Sequence, residues 1–212
     1  MKGIGLRLAL TTAAFALAAT TQGYGAARRT GGGALEAKLE YCKTCHGLGA
    51  EGYRGYYVMP RLAGQPSGYI VNQLRAFQEK RRVNPIMSNV AHGIPPGMIG
   101  ALAASLQSMN SPPFGGAPNA SIALGREIFA TGLPDANIPA CSACHGPDAK
   151  GQNAIPRLAG QVYWYTIKAL SNWSQERGLG KTKDLSAIMG PTAHNLTPTQ
   201  KSAIAAYVST LR

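Results

Sequence analysis

The chain has little negative charge, few cysteines and no apolar stretch long enough to cross a membrane. Only nine of its 212 residues are acidic, against 21 lysines and arginines. This positive excess favours acidic partners or an anionic membrane surface. No recognition motif accompanies the charge, which argues against a nucleic-acid partner. The alternation of apolar and polar residues typical of β-strands is also lacking, so a helical chain is expected.

The cysteines are confined to two short motifs. Cys-x-x-Cys-His occurs at 42–46 and again at 141–145, and these motifs contain all four cysteines. The spacing is typical of covalent c-type haem attachment. Two thiols one helical turn apart add to the haem vinyl groups, and the adjacent histidine binds the iron. We therefore expect two haem c groups, attached through Cys42, Cys45, Cys141 and Cys144 and ligated by His46 and His145.

Two other uses of paired cysteines fit the sequence less well. A zinc ribbon brings its two Cys-x-x-Cys pairs within ~15–20 residues of each other, whereas these pairs begin 99 residues apart. A redox-active disulfide of the thioredoxin type lies among alternating strands and helices, and no such pattern flanks either motif. A histidine directly after both pairs also favours haem.

Residues 1–26 have the composition of an export signal. Lys2 and Arg7 give a positive start, an apolar run covers 8–19, and small residues follow at 23–27, where cleavage is expected. The apolar run is too short for a membrane span. An uncleaved N-terminal anchor is the alternative. Export suits haem c, because haem and apoprotein are joined after translocation, and it predicts a periplasmic protein.

The rest of the chain is an internal duplication. The hexapeptide Pro-Arg-Leu-Ala-Gly-Gln occurs at 60–65 and at 156–161, in the same order relative to the haem motifs. We expect one small haem domain at 27–110 and a second at 121–212, joined by a linker rich in proline and glycine at 111–120. A domain this small buries little core unaided, so the haem is expected to complete each core.

Each half is expected to contain a helix before the haem motif, one after the hexapeptide and one at its end. These helices are placed at 34–41, 69–81 and 99–106 in the first half, and at 122–129, 165–175 and 198–211 in the second. Thr197 and Pro198 supply a cap and a first helical residue for the last of them. The one tight basic cluster, at 80–82, is expected to be a solvated helix end.

The second axial ligand of each iron decides whether a haem carries electrons or binds a substrate. Met87 and Met189 occupy matching positions, 41 and 44 residues after their haem histidines. Methionines often only fill gaps in a core, but this pairing favours both as axial ligands. His92 and His194 also match, each five residues after its methionine, and bis-histidine ligation is the alternative.

The hexapeptides and the tyrosines after them supply candidates for support of the haem. A carbonyl at Pro60 or Pro156 would accept a hydrogen bond from Nδ1 of the haem histidine and fix its ring. Arginine and tyrosine side chains would pair with the haem propionates. These candidates are Arg61, Arg157, Tyr69 and Tyr165. The alternative is that the segments only fix the loop before the middle helix.

The order of these motifs is similar to that of a known family. Each half reads Cys-x-x-Cys-His-Gly, Pro-Arg-Leu-Ala-Gly-Gln, a tyrosine, a helix with an aromatic residue, then a methionine before a helix containing Ala-Ala. Over residues 30–212 the chain resembles the di-haem cytochrome c4 family. The resemblance implies an all-α fold of two class I cytochrome c domains related by a pseudo-twofold axis. It also implies His/Met ligation of both irons, with propionates facing each other near the domain interface.

The resemblance further implies a periplasmic electron carrier rather than an enzyme. Such a carrier passes single electrons between respiratory complexes, ending at a terminal oxidase, and associates loosely with the membrane surface. Acidic docking faces are expected on its redox partners. One alternative is the electron-accepting subunit of a dehydrogenase, such as a flavocytochrome sulfide dehydrogenase or an alcohol dehydrogenase. Another is a di-haem peroxidase or thiosulfate-oxidising enzyme, which needs a vacant iron position that the paired methionines argue against.

Overall fold

The structure, a computed structural model, describes residues 31–118, 121–177 and 185–212. The expected export signal at 1–26 lies outside the described residues. Within the described part the chain is mostly helical, so the prediction of an all-α fold is confirmed. Among the helices of these described ranges, none combines the length and the apolar character that crossing a bilayer requires.

The first half folds around one core. Its elements are α1 (Gly31–His46), β1 (Tyr53–Arg54), β2 (Val58–Met59), α2 (Ser67–Gln78), α3 (Pro85–His92), a 3-10 turn at Pro96–Met98 and α4 (Ile99–Ser108). Helix α3 begins where the Asn84 side chain accepts a hydrogen bond from the N–H of Met87. Buried apolar residues of α2 and α4 pack together with Leu39 of α1, which closes the core.

The second half repeats this order around its own core. Its elements are α5 (Ile122–Thr131), a 3-10 turn at Pro134–Ala136, α6 (Ser142–His145), α7 (Tyr163–Ser171), α8 (Trp173–Glu176), a 3-10 turn at Leu185–Ile188, α9 (Met189–Asn195) and α10 (Pro198–Thr210). Helix α10 begins at the predicted cap, because Thr197 and Gln200 exchange hydrogen bonds between side chain and backbone. Helices α5 and α10 pack against each other.

Two local features differ from the sequence-based expectation. A short antiparallel hairpin pairs Tyr53 with Met59, and strands of two residues are too short to show an alternating pattern. The middle helix of the second half is also not continuous, since α7 ends at Ser171 and α8 begins at Trp173. Neither difference alters the order of the helices around the haem motifs.

The two hexapeptide segments meet and exchange hydrogen bonds across the domain boundary. Gln65 donates to the carbonyl of Arg157 at 2.8 Å and accepts from its N–H at 3.0 Å. Gln161 donates to the carbonyl of Arg61 at 3.2 Å and accepts from its N–H at 2.8 Å. Each glutamine therefore satisfies both backbone hydrogen-bonding groups, N–H and C=O, of one buried arginine of the other half. The two exchanges are equivalent, as an approximate twofold relation between the halves requires.

Gly125 determines how closely α5 approaches α10. A side-chain carbon there would collide with the backbone carbonyl of Ala203 and press on Tyr207. We expect Gly125→Ala to lower the free energy of unfolding by about 1–3 kcal/mol, because relief requires the two helices to separate. The control is Gly100→Ala on α4, where an added carbon meets no atom within 4 Å. Denaturant unfolding of both variants measures the effect, and equal stabilities would contradict the prediction.

Candidate haem sites

The last turn of α1 carries the first Cys-x-x-Cys-His motif, and α6 carries the second. Cys42 and Cys141 are half-buried, Cys45 and Cys144 are exposed, and all four thiols are free. A helical backbone places the two thiols of each motif one turn apart on one side, as covalent attachment requires. Burial raises the pKa of Cys42, and it raises the pKa of Cys141 to about 11.

Both motif histidines are buried and held by a backbone carbonyl. Nδ1 of His46 donates to the carbonyl oxygen of Pro60 at 2.8 Å, and Nδ1 of His145 donates to that of Pro156 at 2.9 Å. Because a carbonyl only accepts, the proton is on Nδ1, and the lone pair of Nε2 is left for a metal. Burial lowers the pKa of both histidines. Both are therefore held in the neutral form that ligation needs.

A tight loop returns the chain from each histidine to the carbonyl that holds it. Gly52 and Gly151 occupy matching positions with φ of +94° and +66°, a backbone region that favours glycine. Their N–H groups donate to the carbonyls of His46 and His145, each at 2.8 Å. A side-chain carbon on Gly52 would collide with Val162 of the second half. The loop therefore also lies at the domain boundary.

The paired methionines lie at the start of equivalent helices. Met87 is in the first turn of α3 and Met189 begins α9, and each packs against the core of its own half. The rival ligands His92 and His194 are exposed. Nδ1 of His92 donates to the carbonyl of Ser88 on its own helix at 2.7 Å. In each half, the methionine is the one of the two candidates that packs against the core.

Arg61 and Arg157 are buried at the domain boundary. Nε of each donates at 2.9 Å to the carbonyl two residues further along the chain. Arg61 also donates to the linker carbonyls of Ser111 at 2.6 Å and Pro112 at 3.0 Å. Burial lowers the pKa of Arg61 to about 10, and the charge of Arg157 adds to the effect. Arg61 thus joins the linker to the hexapeptide by hydrogen bonds. The predicted pairing of Arg61 with a haem propionate stays a prediction.

The structure brings Tyr69 and Tyr165 together across 96 residues of sequence. Both phenol oxygens accept hydrogen bonds from Arg177, at 3.3–3.5 Å. Tyr165 also accepts from Arg82 at 2.8 Å. Burial alone would raise the pKa of Tyr165, but the two guanidinium groups outweigh it and hold this pKa below its ordinary value.

Sequence reasoning missed both of these arginines. The prediction of a solvated helix end at 80–82 is wrong for Arg82, whose side chain turns inwards to Gln73 at 2.9 Å and to Tyr165. A basic residue just after an exposed helix end carries no sequence signal for burial, because the acceptors belong to other turns and to the other half of the chain. Arg177 was missed for the same reason.

The residues of each half fit a covalent haem. Two free thiols stand one turn apart, a neutral buried histidine keeps Nε2 free, and a methionine packs against the same core. A haem attached through two thiols and bound by an imidazole and a thioether would be an electron-transfer haem.

The chain is similar to known proteins both in its sequence and in its fold. The family model for cytochrome c matches residues 122–212. The chain is 37% identical to the thiosulfate dehydrogenase electron acceptor of Stutzerimonas stutzeri (strain A1501), over 84% of the chain and 82% of that protein.

Two solved structures resemble the fold over most of the chain. The Acidithiobacillus ferrooxidans cytochrome c4 superposes with a TM-score of 0.70 at 33% identity, over 81% of the chain and 99% of that structure. The thiosulfate dehydrogenase TsdBA from Marichromatium purpuratum gives a TM-score of 0.71 at 33% identity. The match covers 81% of the chain but 36% of that longer protein.

Proposed function

Because the chain belongs to the di-haem cytochrome c4 family, we propose that it carries single electrons in the periplasm from a thiosulfate dehydrogenase to a terminal oxidase. The chain is a di-haem electron-transfer cytochrome rather than an enzyme, and its cofactors are two covalent haem c groups. Each haem supplies a reversible one-electron change at its iron.

We assign the haem ligands by residue. In the first half, Cys42 and Cys45 attach the haem, and His46 and Met87 ligate its iron. In the second, the corresponding residues are Cys141, Cys144, His145 and Met189. The carbonyls that hold the two histidines support this assignment, since they fix both rings with Nε2 free. With a histidine and a methionine bound to each iron, neither iron would offer a place for a substrate.

The donor is proposed from the relatives. The observation that carries it is the 37% identity to a protein described as the electron acceptor of thiosulfate dehydrogenase. The similar region within TsdBA points to the same donor. It also favours a second possibility, in which the chain stays bound to a dehydrogenase as its electron-accepting subunit. The net positive charge of the chain suits acidic docking faces on its partners.

Reduction by a purified dehydrogenase tests the proposal. The oxidised, haem-loaded protein is mixed with a catalytic amount of Stutzerimonas stutzeri thiosulfate dehydrogenase, and thiosulfate is added. We expect both haems to become reduced, and membranes that contain a terminal oxidase to reoxidise them. If dithionite reduces the haems but thiosulfate with the dehydrogenase does not, the proposed donor is contradicted. Separate elution of the two proteins on gel filtration would support a free carrier, whereas co-elution would support the subunit.

A further inference from the structure

A hairpin that carries exposed tyrosines belongs to the first half alone. Seven residues, 53–59, separate Gly52 from Pro60 and form the strands β1 and β2. In the second half only four residues separate Gly151 from Pro156, and a single bridge closes that turn. We call residues 53–59 the tyrosine hairpin. It gives the first haem site a surface that the second haem site lacks.

Both ends of the tyrosine hairpin are fixed to the first haem histidine. The N–H of Gly52, just before the hairpin, donates to the carbonyl of His46 at 2.8 Å. The carbonyl of Pro60, just after it, accepts from Nδ1 of His46 at 2.8 Å. The iron would bind Nε2, at the other edge of the same ring, so the haem is not the group that covers the hairpin. A protein bound to the tyrosine hairpin would therefore lie beside the first haem site.

The tyrosine side chains of the hairpin are free to contact a partner. Tyr56 is 94% exposed, and Tyr53 and Tyr57 are each more than half exposed. The rings of Tyr56 and Tyr57 pack edge to face, with 4.8 Å between their centroids. Among the described residues, none of the three hydroxyl groups has a hydrogen-bond partner. Clustered exposed apolar side chains mark interaction sites, and tyrosine is enriched among the residues that contribute most to binding.

The base of the tyrosine hairpin is held against the second half. The guanidinium of Arg54 lies 4.5 Å from the ring centroid of Trp164 on α7, which is a cation–π contact. Strand β2 also packs against α7. A loop that is already held in place loses less conformational freedom when a partner binds, and this favours affinity. The three tyrosines are therefore presented on a fixed support.

The part of the chain that includes the tyrosine hairpin carries no net charge. Residues 31–59 contain three acidic and three basic side chains, whereas residues 60–212 contain six acidic and 14 basic ones. Lys43 is paired with Glu40 at 2.6 Å. A partner face that fits the hairpin is therefore uncharged and apolar at its centre. The positive excess elsewhere in the chain speeds the approach of an acidic partner rather than holding it.

We propose that the tyrosine hairpin is the docking surface for the electron-donating dehydrogenase, which packs an apolar face against Tyr53, Tyr56 and Tyr57. The dehydrogenase is the donor named under the proposed function, and the inference rests on that function. An enzyme that releases electrons must place its own cofactor beside one of the two haems. The hairpin offers such a contact beside the first haem and not beside the second. Electrons therefore enter at the first haem and leave from the second.

Steady-state reduction of the haem-loaded protein by purified thiosulfate dehydrogenase tests the proposal. In the double variant Tyr56→Ser/Tyr57→Ser we expect the KM for the cytochrome to rise at least about tenfold, with kcat and both reduction potentials unchanged. Tyr56→Phe/Tyr57→Phe should retain most of the affinity, because it keeps both rings. The control is Leu124→Ser, which removes an exposed apolar side chain from α5 of the second half and should leave the KM unchanged. Added salt should slow reduction of the wild-type protein and of the double variant by the same factor, because the hairpin binds without charge.

Four results would overturn the proposal. An equal KM for the wild-type protein and the double serine variant would do so and still leave the dehydrogenase as the donor. No reduction of the wild-type protein by thiosulfate would contradict the donor, and the docking surface with it. A higher KM together with a shifted potential of the first haem would show that the tyrosines act on the haem. An unchanged KM with lost binding to vesicles of anionic phospholipid would show that the hairpin contacts a membrane surface.

Discussion

Replacing Met87 by alanine is expected to let carbon monoxide bind the reduced haem of the first half and to leave the second haem unaffected. Loss of the thioether vacates one axial position, and a ferrous iron with a vacant position binds carbon monoxide. The difference spectrum of the variant should report binding at about half of the total haem, whereas the wild-type protein should show none. The potential of the altered haem should also fall, because a thioether ligand raises it.

The chain contains a matched control for this experiment. Met98 packs against the same core as Met87 but has no methionine partner in the repeat, so Met98→Ala should bind no carbon monoxide. Met189→Ala should reproduce the Met87 result at the second haem. If Met87→Ala binds no carbon monoxide and His92→Ala does, the ligand is His92 and the assignment of Met87 is wrong. Binding by the wild-type protein would instead favour a catalytic haem.

Replacing Gln161 by alanine is expected to weaken the association of the two halves. The change removes the partners of the Arg61 N–H and carbonyl, both at a buried boundary. An unsatisfied buried N–H or carbonyl costs about 1–3 kcal/mol, so we expect a loss of about 2–6 kcal/mol in the free energy of unfolding. Gln65→Ala should have a similar effect, because it makes the equivalent exchange with Arg157.

Calorimetry distinguishes this loss from ordinary destabilisation. If the glutamines join the halves, the unfolding of Gln161→Ala should divide into two transitions, one for each half, whereas a general weakening would move a single transition to lower temperature. The control is Gln107→Ala, which also removes an acceptor from a backbone N–H, but at an exposed contact with Ser67. Equal effects of Gln107→Ala and Gln161→Ala would contradict the role proposed for the boundary.

Predictions from the sequence were most successful where the relevant residues are close together in the chain. The helices around the haem motifs and the cap at Thr197 follow from local spacing and side-chain chemistry, and the structure contains them. The hydrogen bonds from both haem histidines to the proline carbonyls span 14 and 11 residues. These two hydrogen bonds could be predicted because the same proline of the repeated hexapeptide follows each haem histidine.

The sequence by itself determined that this chain attaches two haems and that its two halves arose by internal duplication. It also singled out one methionine in each half as the candidate sixth ligand of the iron. Covalent attachment and helix formation depend on neighbouring residues, so their signals can be read from short motifs. Only the tertiary structure decided how the halves join. Gln65 and Gln161 reach peptide groups 92 and 100 residues away, and Arg177 reaches a tyrosine 108 residues away. Such contacts leave no periodic pattern and no fixed spacing in the sequence, because they depend on how the folded surfaces of the two halves pack together.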